Sequence, residues 1–116
     1  MKFKYFFSND FETHDAHSDD VLKTKYYRAD FSKAGNELKY VMHELGFELL
    51  EEIVEYQEFH FYKAQIEVIA DIYSESYYRQ GIDFKVNSTY LFPNGRGYKM
   101  IEKIYSELDK RMERTK

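Results

Sequence analysis

The stretch Tyr62–Ile72, YKAQIEVIADI, decides how this chain folds. Tyr62, Ala64, Ile66, Val68, Ala70 and Ile72 fall on every second position, with Lys63, Gln65, Glu67 and Asp71 between them and Ile69 as the one exception. That two-residue period describes a strand with one buried and one wet face. A helix through Ile66, Ile69, Ala70, Tyr73 and Tyr77 fits the same letters, so helix stays open as the alternative over 62–79. Read as a strand, the segment makes the protein a sheet protein, and the neighbouring segments are ordered around it.

Upstream, Phe47–Phe61 (FELLEEIVEYQEFHF) carries aromatic and β-branched residues directly after a glycine. A strand from about Phe47 is the preferred reading, although Leu49, Leu50, Ile53 and Val54 would also suit a short helix over 47–58. Before it, Ser32 is placed to cap a helix whose apolar residues Ala34, Leu38, Val41, Met42 and Leu45 share one face, with Gly46 as its stop. Downstream, Ser74–Gly81 reads as a connection. Ile82, Phe84 and Val86 then begin a strand running to about Phe92, and Pro93, Asn94, Gly95 and Gly97 break it. A last helix presents Ile101, Ile104, Tyr105, Leu108 and Met112 on one face. At the other end, Lys2–Phe7 alternates lysine with aromatic rings and reads as a first strand, Ser8–Asp20 as a long polar loop, and Leu22–Phe31 as a second strand paired with the first. The expected fold is α+β: one domain over residues 1–116, an antiparallel sheet of about five strands, two helices on one face, in the order β-β-α-β-β-β-α.

Composition narrows the chemistry. The chain has 12 Tyr and 10 Phe but no Cys and no Trp, so there is no disulfide, thiolate nucleophile or cysteine-based zinc site. The N-terminal apolar run Tyr5–Phe7 is too short for a signal-peptide core, and nothing approaches a membrane span of about 18 apolar residues. A cytoplasmic location without membrane partners is the expectation. The net charge of −4 hides a separation: Glu37–Glu75 carries ten acidic residues against Lys39 and Lys63, a net of −8, and the remainder carries +4.

The stretch Phe11–Asp20, FETHDAHSDD, holds His14 and His17 among Glu12, Asp15, Asp19 and Asp20, an inventory that suits a divalent metal. In an extended loop, however, the two imidazoles would point apart, and no third ligand is fixed by spacing. A solvated loop is the reading, with no metal and no cofactor. His43 and His60 stand alone beside apolar faces and read as packing or interface residues. No nucleophile elbow, HExxH or Walker loop is present, and no catalytic residue is named.

Two functional classes remain. Basic and aromatic residues interleave in KFKY (2–5) and KTKYYR (23–28), where Lys23 and Lys25 offer cations for phosphate and the rings offer stacking surfaces. From Ser32 onward the expected helix, three strands, helix order resembles the topology of double-stranded RNA-binding domains over about 80 residues, with PNGRGYK (93–99) where such folds place a basic loop and a helix N-terminus. The resemblance implies nucleic-acid contact through Arg96 and Lys99. Those two alone stand for the basic cluster, and Glu51, Glu52, Glu55 and Glu58 would repel phosphate. The preferred expectation is therefore a small soluble, non-enzymatic interaction or regulatory module that binds a protein partner. It also associates with itself, as a homodimer, through an aromatic-rich sheet surface on which Tyr26, Tyr27, Tyr77 and Tyr78 are the contact residues.

Overall fold

The computed structural model describes residues 3–115. Six strands form one antiparallel sheet: β1 (Asp10–Glu12), β2 (Lys25–Tyr27), β3 (Glu48–Ile53), β4 (Glu58–Lys63), β5 (Ile66–Ser76) and β6 (Arg79–Ser88). Two helices, α1 (Phe31–Glu44) and α2 (Arg96–Asp109), pack on one face of it. The spatial order is β1-β6-β5-β4-β3, with β2 also on β6. The α+β class and the antiparallel sheet beneath two helices are as expected.

The decisive stretch is β-structure, but it turns in the middle. Ala64, at φ 49°, and Gln65 form a two-residue hairpin loop, so Tyr62 and Lys63 end β4 while Ile66 begins β5. The turn inverts the phase: Lys63 is opposite Ile66 and Tyr62 opposite Glu67, so even-numbered residues face the open side on β4 and the helices on β5, and the unbroken alternation of letters across the turn is a coincidence of composition. Four strands thus lie between the helices, which loosens the likeness in element order to double-stranded RNA-binding domains. Similarly, the stretch expected to be a connection at 74–81 is two strand ends joined at Tyr77–Tyr78.

Burial alternates along β4, β5 and most of β6, whereas β3 is exposed along nearly its whole length. Ile66, Val68, Ala70 and Ile72 of β5 and Ile82, Phe84 and Val86 of β6 face the helices, together with Phe59 and Phe61 of β4. The helices return Ala34, Leu38, Val41 and Met42 from α1 and Tyr98, Ile101, Ile104, Tyr105 and Leu108 from α2. Each large apolar side chain so buried contributes about 1.5–3 kcal/mol. The cap of α1 is Asp30, not Ser32: its side chain accepts from the Lys33 amide at 2.7 Å. Gly46, at φ 90°, ends that helix in the left-handed conformation as expected.

The N-terminal third departs from expectation. The strand expected at 2–7 is a 3-10 helix over Phe3–Phe7, and Lys2 lies outside the described residues. Of Tyr5, Phe6 and Phe7, Tyr5 is the buried one, against Phe11 and Tyr98 at ring distances of 5.4 and 5.6 Å. The actual first strand lies inside the expected loop. It does not pair with β2: both pair with the same edge of β6, β1 along 85–87 and β2 along 80–82, end to end. No helix among the described residues is long and apolar enough to cross a membrane.

Candidate functional site

Both helices cover one face of the sheet, so the side chains at the alternate positions form an open face. Strand register places Asp10, Glu12, Glu48, Glu51, Glu58, Glu67, Asp71 and Asp83 on it, eight carboxylates against the cations Lys85 and Arg79. Three of them stand in one row across adjacent strands: Glu58 on β4 is opposite Asp71 on β5, which is opposite Asp83 on β6. Like charges directly opposite in a sheet repel, so the row needs support.

The support comes from the break between β1 and β2. Opposite Asp83 and Phe84 no strand runs along β6, and two threonines fill the space. Thr13 Oγ1 donates to Asp83 Oδ1 at 2.7 Å and Thr24 Oγ1 to the same oxygen at 2.6 Å. Thr13 Oγ1 also accepts from the Phe84 amide at 2.8 Å, replacing a ladder bond by a side chain. Beneath it the buried Tyr105 hydroxyl donates to the Ile82 carbonyl at 2.6 Å, and burial pushes that phenol well above its ordinary range. At the other end of the row His60 Nε2 lies 2.5 Å from Glu58 Oε1. The row borders a depression of about 370 Å³ that also takes in Glu12, His14 and Lys85.

Asp71, in the centre, still reaches solvent, yet its carboxyl is pushed up to about 6, first by loss of surrounding water and then by the charge of Glu58 and a hydrogen bond with it. A folded-state value above the unfolded 3.8 means that ionising Asp71 opposes folding. The penalty is complete above pH 6 and disappears as the pH falls toward 4. Asp71→Asn is therefore expected to stabilise the domain at pH 7.5 by about 1 kcal/mol, a figure discounted for solvent screening, and to give no gain near pH 4. Urea unfolding at the two pH values measures this, and an equal effect at both would contradict it.

Tyrosines border the acids. Tyr62 and Tyr73 are exposed on the same face, and Tyr77 and Tyr78 form the tip of the β5–β6 hairpin, 71% and 63% exposed, with their rings edge to face at 4.7 Å. The other two sequence-predicted contact residues are placed differently. Tyr27 is wholly buried, its hydroxyl donating to Asp109 at 2.9 Å, and is a core residue rather than a contact residue. Tyr26 lies flat on Gly81, where an added Cβ would come within 2.7 Å of its ring; its hydroxyl donates to Asp15 and the Arg79 guanidinium stacks 3.8 Å above it.

Three of the four cations expected to contact phosphate are engaged by neighbours. Lys23 pairs with Asp20 at 2.9 Å, and Lys25 points inward, donates to the Asp20 carbonyl and lies 5.4 Å from the Tyr105 ring. Burial lowers the Lys25 ammonium below its usual range. Arg96 sits over the Tyr90 ring at 4.5 Å, and Lys99 is exposed on the first turn of α2. Two of the amides at that helix start are used internally, Gly95 N donating to the Phe6 carbonyl and Arg96 N to the Pro93 carbonyl.

The histidine loop is folded, not extended. The His17 amide donates to the His14 carbonyl, a turn that brings the two imidazoles to 4.8 Å instead of pointing them apart. Its acids are occupied in shaping it: Asp19 accepts from the Val21 amide and the Tyr98 hydroxyl, and Asp15 from Tyr26. His17 Nδ1 accepts from the Asp19 amide at 3.0 Å. Among the described residues no three His, Asp or Glu side chains converge as a metal-ligand set. His14→Ala is expected to change stability by less than about 0.5 kcal/mol and His17→Ala by about 1 kcal/mol, a difference that thermal unfolding of the two variants resolves.

The row Glu58–Asp71–Asp83 does not emerge as a site from the sequence, because each acid is one outward residue of an alternating strand and only strand register joins them. No protein-family model, curated protein or solved structure matches this chain, so what it does is read from the chemistry of its own open face.

Proposed function

We propose that this domain is a non-enzymatic interaction module that receives a basic protein partner on the open face of its sheet. One observation carries the reading: eight carboxylates share that face with two cations, and exposed Tyr62 and Tyr73 lie among them. Carboxylates recognise lysine and arginine, and tyrosine rings add contact area at small entropic cost and stack on guanidinium groups. The face steers cationic partners and repels anionic ones. Two copies pairing this face would oppose their acids, which favours a heterotypic partner over the self-association suggested by the aromatic content. The same field opposes nucleic acid, whose affinity rests on phosphate contacts.

A lysine- and arginine-rich peptide is expected to bind with an affinity that falls with salt, whereas its glutamate-substituted counterpart does not bind. Replacing Tyr77 and Tyr78 together by alanine is expected to leave stability within about 0.5 kcal/mol and to weaken that binding about tenfold, since both rings extend from the end of the face. Fluorescence anisotropy on both peptides and on a short RNA decides among the readings. RNA binding at physiological salt without peptide binding would favour the nucleic-acid alternative. A dimer in sedimentation equilibrium, with neither ligand bound, would favour self-association.

A further inference from the structure

We infer that β3 is a strand-addition site, at which a partner segment alternating basic and apolar residues pairs as a seventh strand. β3 ends the sheet: it pairs with β4 on one side, and residues 48–53 make no backbone hydrogen bond to any other element among the described residues. An antiparallel strand turns the N–H and C=O of every second residue away from its neighbour, so this edge offers unmet donors and acceptors to an extended chain.

Proteins commonly blunt such edges with charge and bulges, and β3 has both, in its glutamates and in the bulge between Leu49 and Glu51. Protection alone does not account for the apolar side chains along it. Leu50, Val54 and Tyr56 are 60%, 73% and 74% exposed, in and just after the strand. A guarded edge has no use for them, whereas a strand-addition site uses them as contact surface.

Charge selects the occupant. Glu48 and Glu51 point to the open face, each directly opposite a β4 residue, Tyr62 and His60. An added strand would set its own open-face residues beside those glutamates and its alternate residues beside Leu49 on the helix side. Lysine or arginine on the first set and an aliphatic residue on the second complement what is there. A second copy of β3 would bring glutamates against glutamates, so self-pairing is the arrangement the edge resists. The inference concerns the backbone of the edge strand rather than the open face, so it can fail while the basic-partner reading stands, and the reverse.

The probe is a hexapeptide of alternating Lys and Val, added to isotope-labelled protein. Binding is expected to slow hydrogen exchange of the outward β3 amides at least about fivefold while leaving the β6 amides unchanged. A version N-methylated on alternate residues, and one with Glu in place of Lys, are expected not to bind. The double variant Glu48→Lys with Glu51→Lys should lose about tenfold in affinity at an unchanged melting temperature, its side chains being exposed on an edge. Should that variant unfold, the N-methylated peptide still decides: equal binding of methylated and unmethylated peptides overturns strand addition. Chemical-shift changes confined to Tyr62, Asp71 and Asp83 overturn it also, and leave the face as the binding site. Protection of β3 that is indifferent to Tyr62→Ala and Tyr73→Ala supports the edge and counts against the face.

Discussion

Gly97→Ala is expected to cost about 3 kcal/mol of stability, the upper end of what overpacking a filled core produces. An added Cβ at Gly97 would lie 2.6 Å from Phe11 Cδ2 and 2.9 Å from Cε2. Neither partner can give way easily. Phe11 is the middle residue of β1, pinned opposite Val86, and its ring meets those of Tyr5 and Tyr98 at 5.4 and 6.2 Å. Gly97 is in the first turn of α2, whose next residue Tyr98 is itself buried. The helix must therefore lift from the sheet or β1 must shift on β6, and either movement disturbs the threonine that follows β1. Gly35→Ala provides the contrast within one protein. A Cβ there meets only Phe59 Cζ at 3.5 Å, an ordinary contact, and alanine is the better helix former by about 1 kcal/mol. Denaturant midpoints should fall for Gly97→Ala and hold or rise for Gly35→Ala. Equal midpoints would show that α2 is not held as closely to β1 as these distances imply.

This contrast explains why the fold was only partly legible in the sequence. Apolar periodicity reports which residues face inward, and it located both helices and the strand character of the segment between them, though not where each strand turns. It is indifferent to how closely two elements approach, so Gly35 looks like a weakness in a helix and Gly97 like part of a loop, although both allow close approach to aromatic rings. Periodicity also misses a turn when the letters on either side happen to keep alternating, which is how Ala64–Gln65 hides between Tyr62 and Ile66 although the inward face changes parity across it. In the first third the pattern misleads, because KFKYFF alternates without a place beside β6 to occupy. β6 already has β5 on one side and the β1–β2 pair on the other. Asp10–Glu12, only three residues long, is too short to show a period and is defined as a strand by pairing with 85–87.

The candidate site follows the same logic. Charge segregation was legible, since it needs only counting. The carboxylate row was not, because it depends on two turn centres: the loop at 64–65 sets Glu58 opposite Asp71, and the tip at 77–78, with its register shift between Ser74 and Ser76, sets Asp71 opposite Asp83. The tyrosines divide according to strand parity. Tyr27 shares the inward parity of Lys25, while Tyr26 between them faces out, so adjacent residues of identical chemistry end in core and surface. The same parity turns Lys25 inward and removes it from the cationic surface that KTKYYR suggests.

Thr13→Val should separate what holds this site from what the site would recognise. The substitution keeps a β-branched side chain of similar size and removes one oxygen, which accepts from the Phe84 amide, donates to Asp83 and lies 3.4 Å from the Tyr105 hydroxyl. Phe84 is in the middle of β6, where its amide has no water to turn to, and an unmet buried donor costs about 1–3 kcal/mol. Asp83 loses one of two hydroxyl donors while standing opposite Asp71. Together these should lower stability by about 3 kcal/mol, with Thr13→Ser restoring all but about 1 kcal/mol because the hydroxyl is retained. Thr24→Val, at a partly buried position with only the Asp83 bond to lose, should cost about 1 kcal/mol. None of the three changes the charge of the face. If the face binds a basic partner through its carboxylates, the affinity of the folded Thr13→Val protein, measured well below its melting temperature, should stay within about twofold of the parent while its unfolding midpoint falls. A large loss of affinity in a protein that remains folded would mean that the position of Asp83, and not the summed charge around it, is what a partner reads.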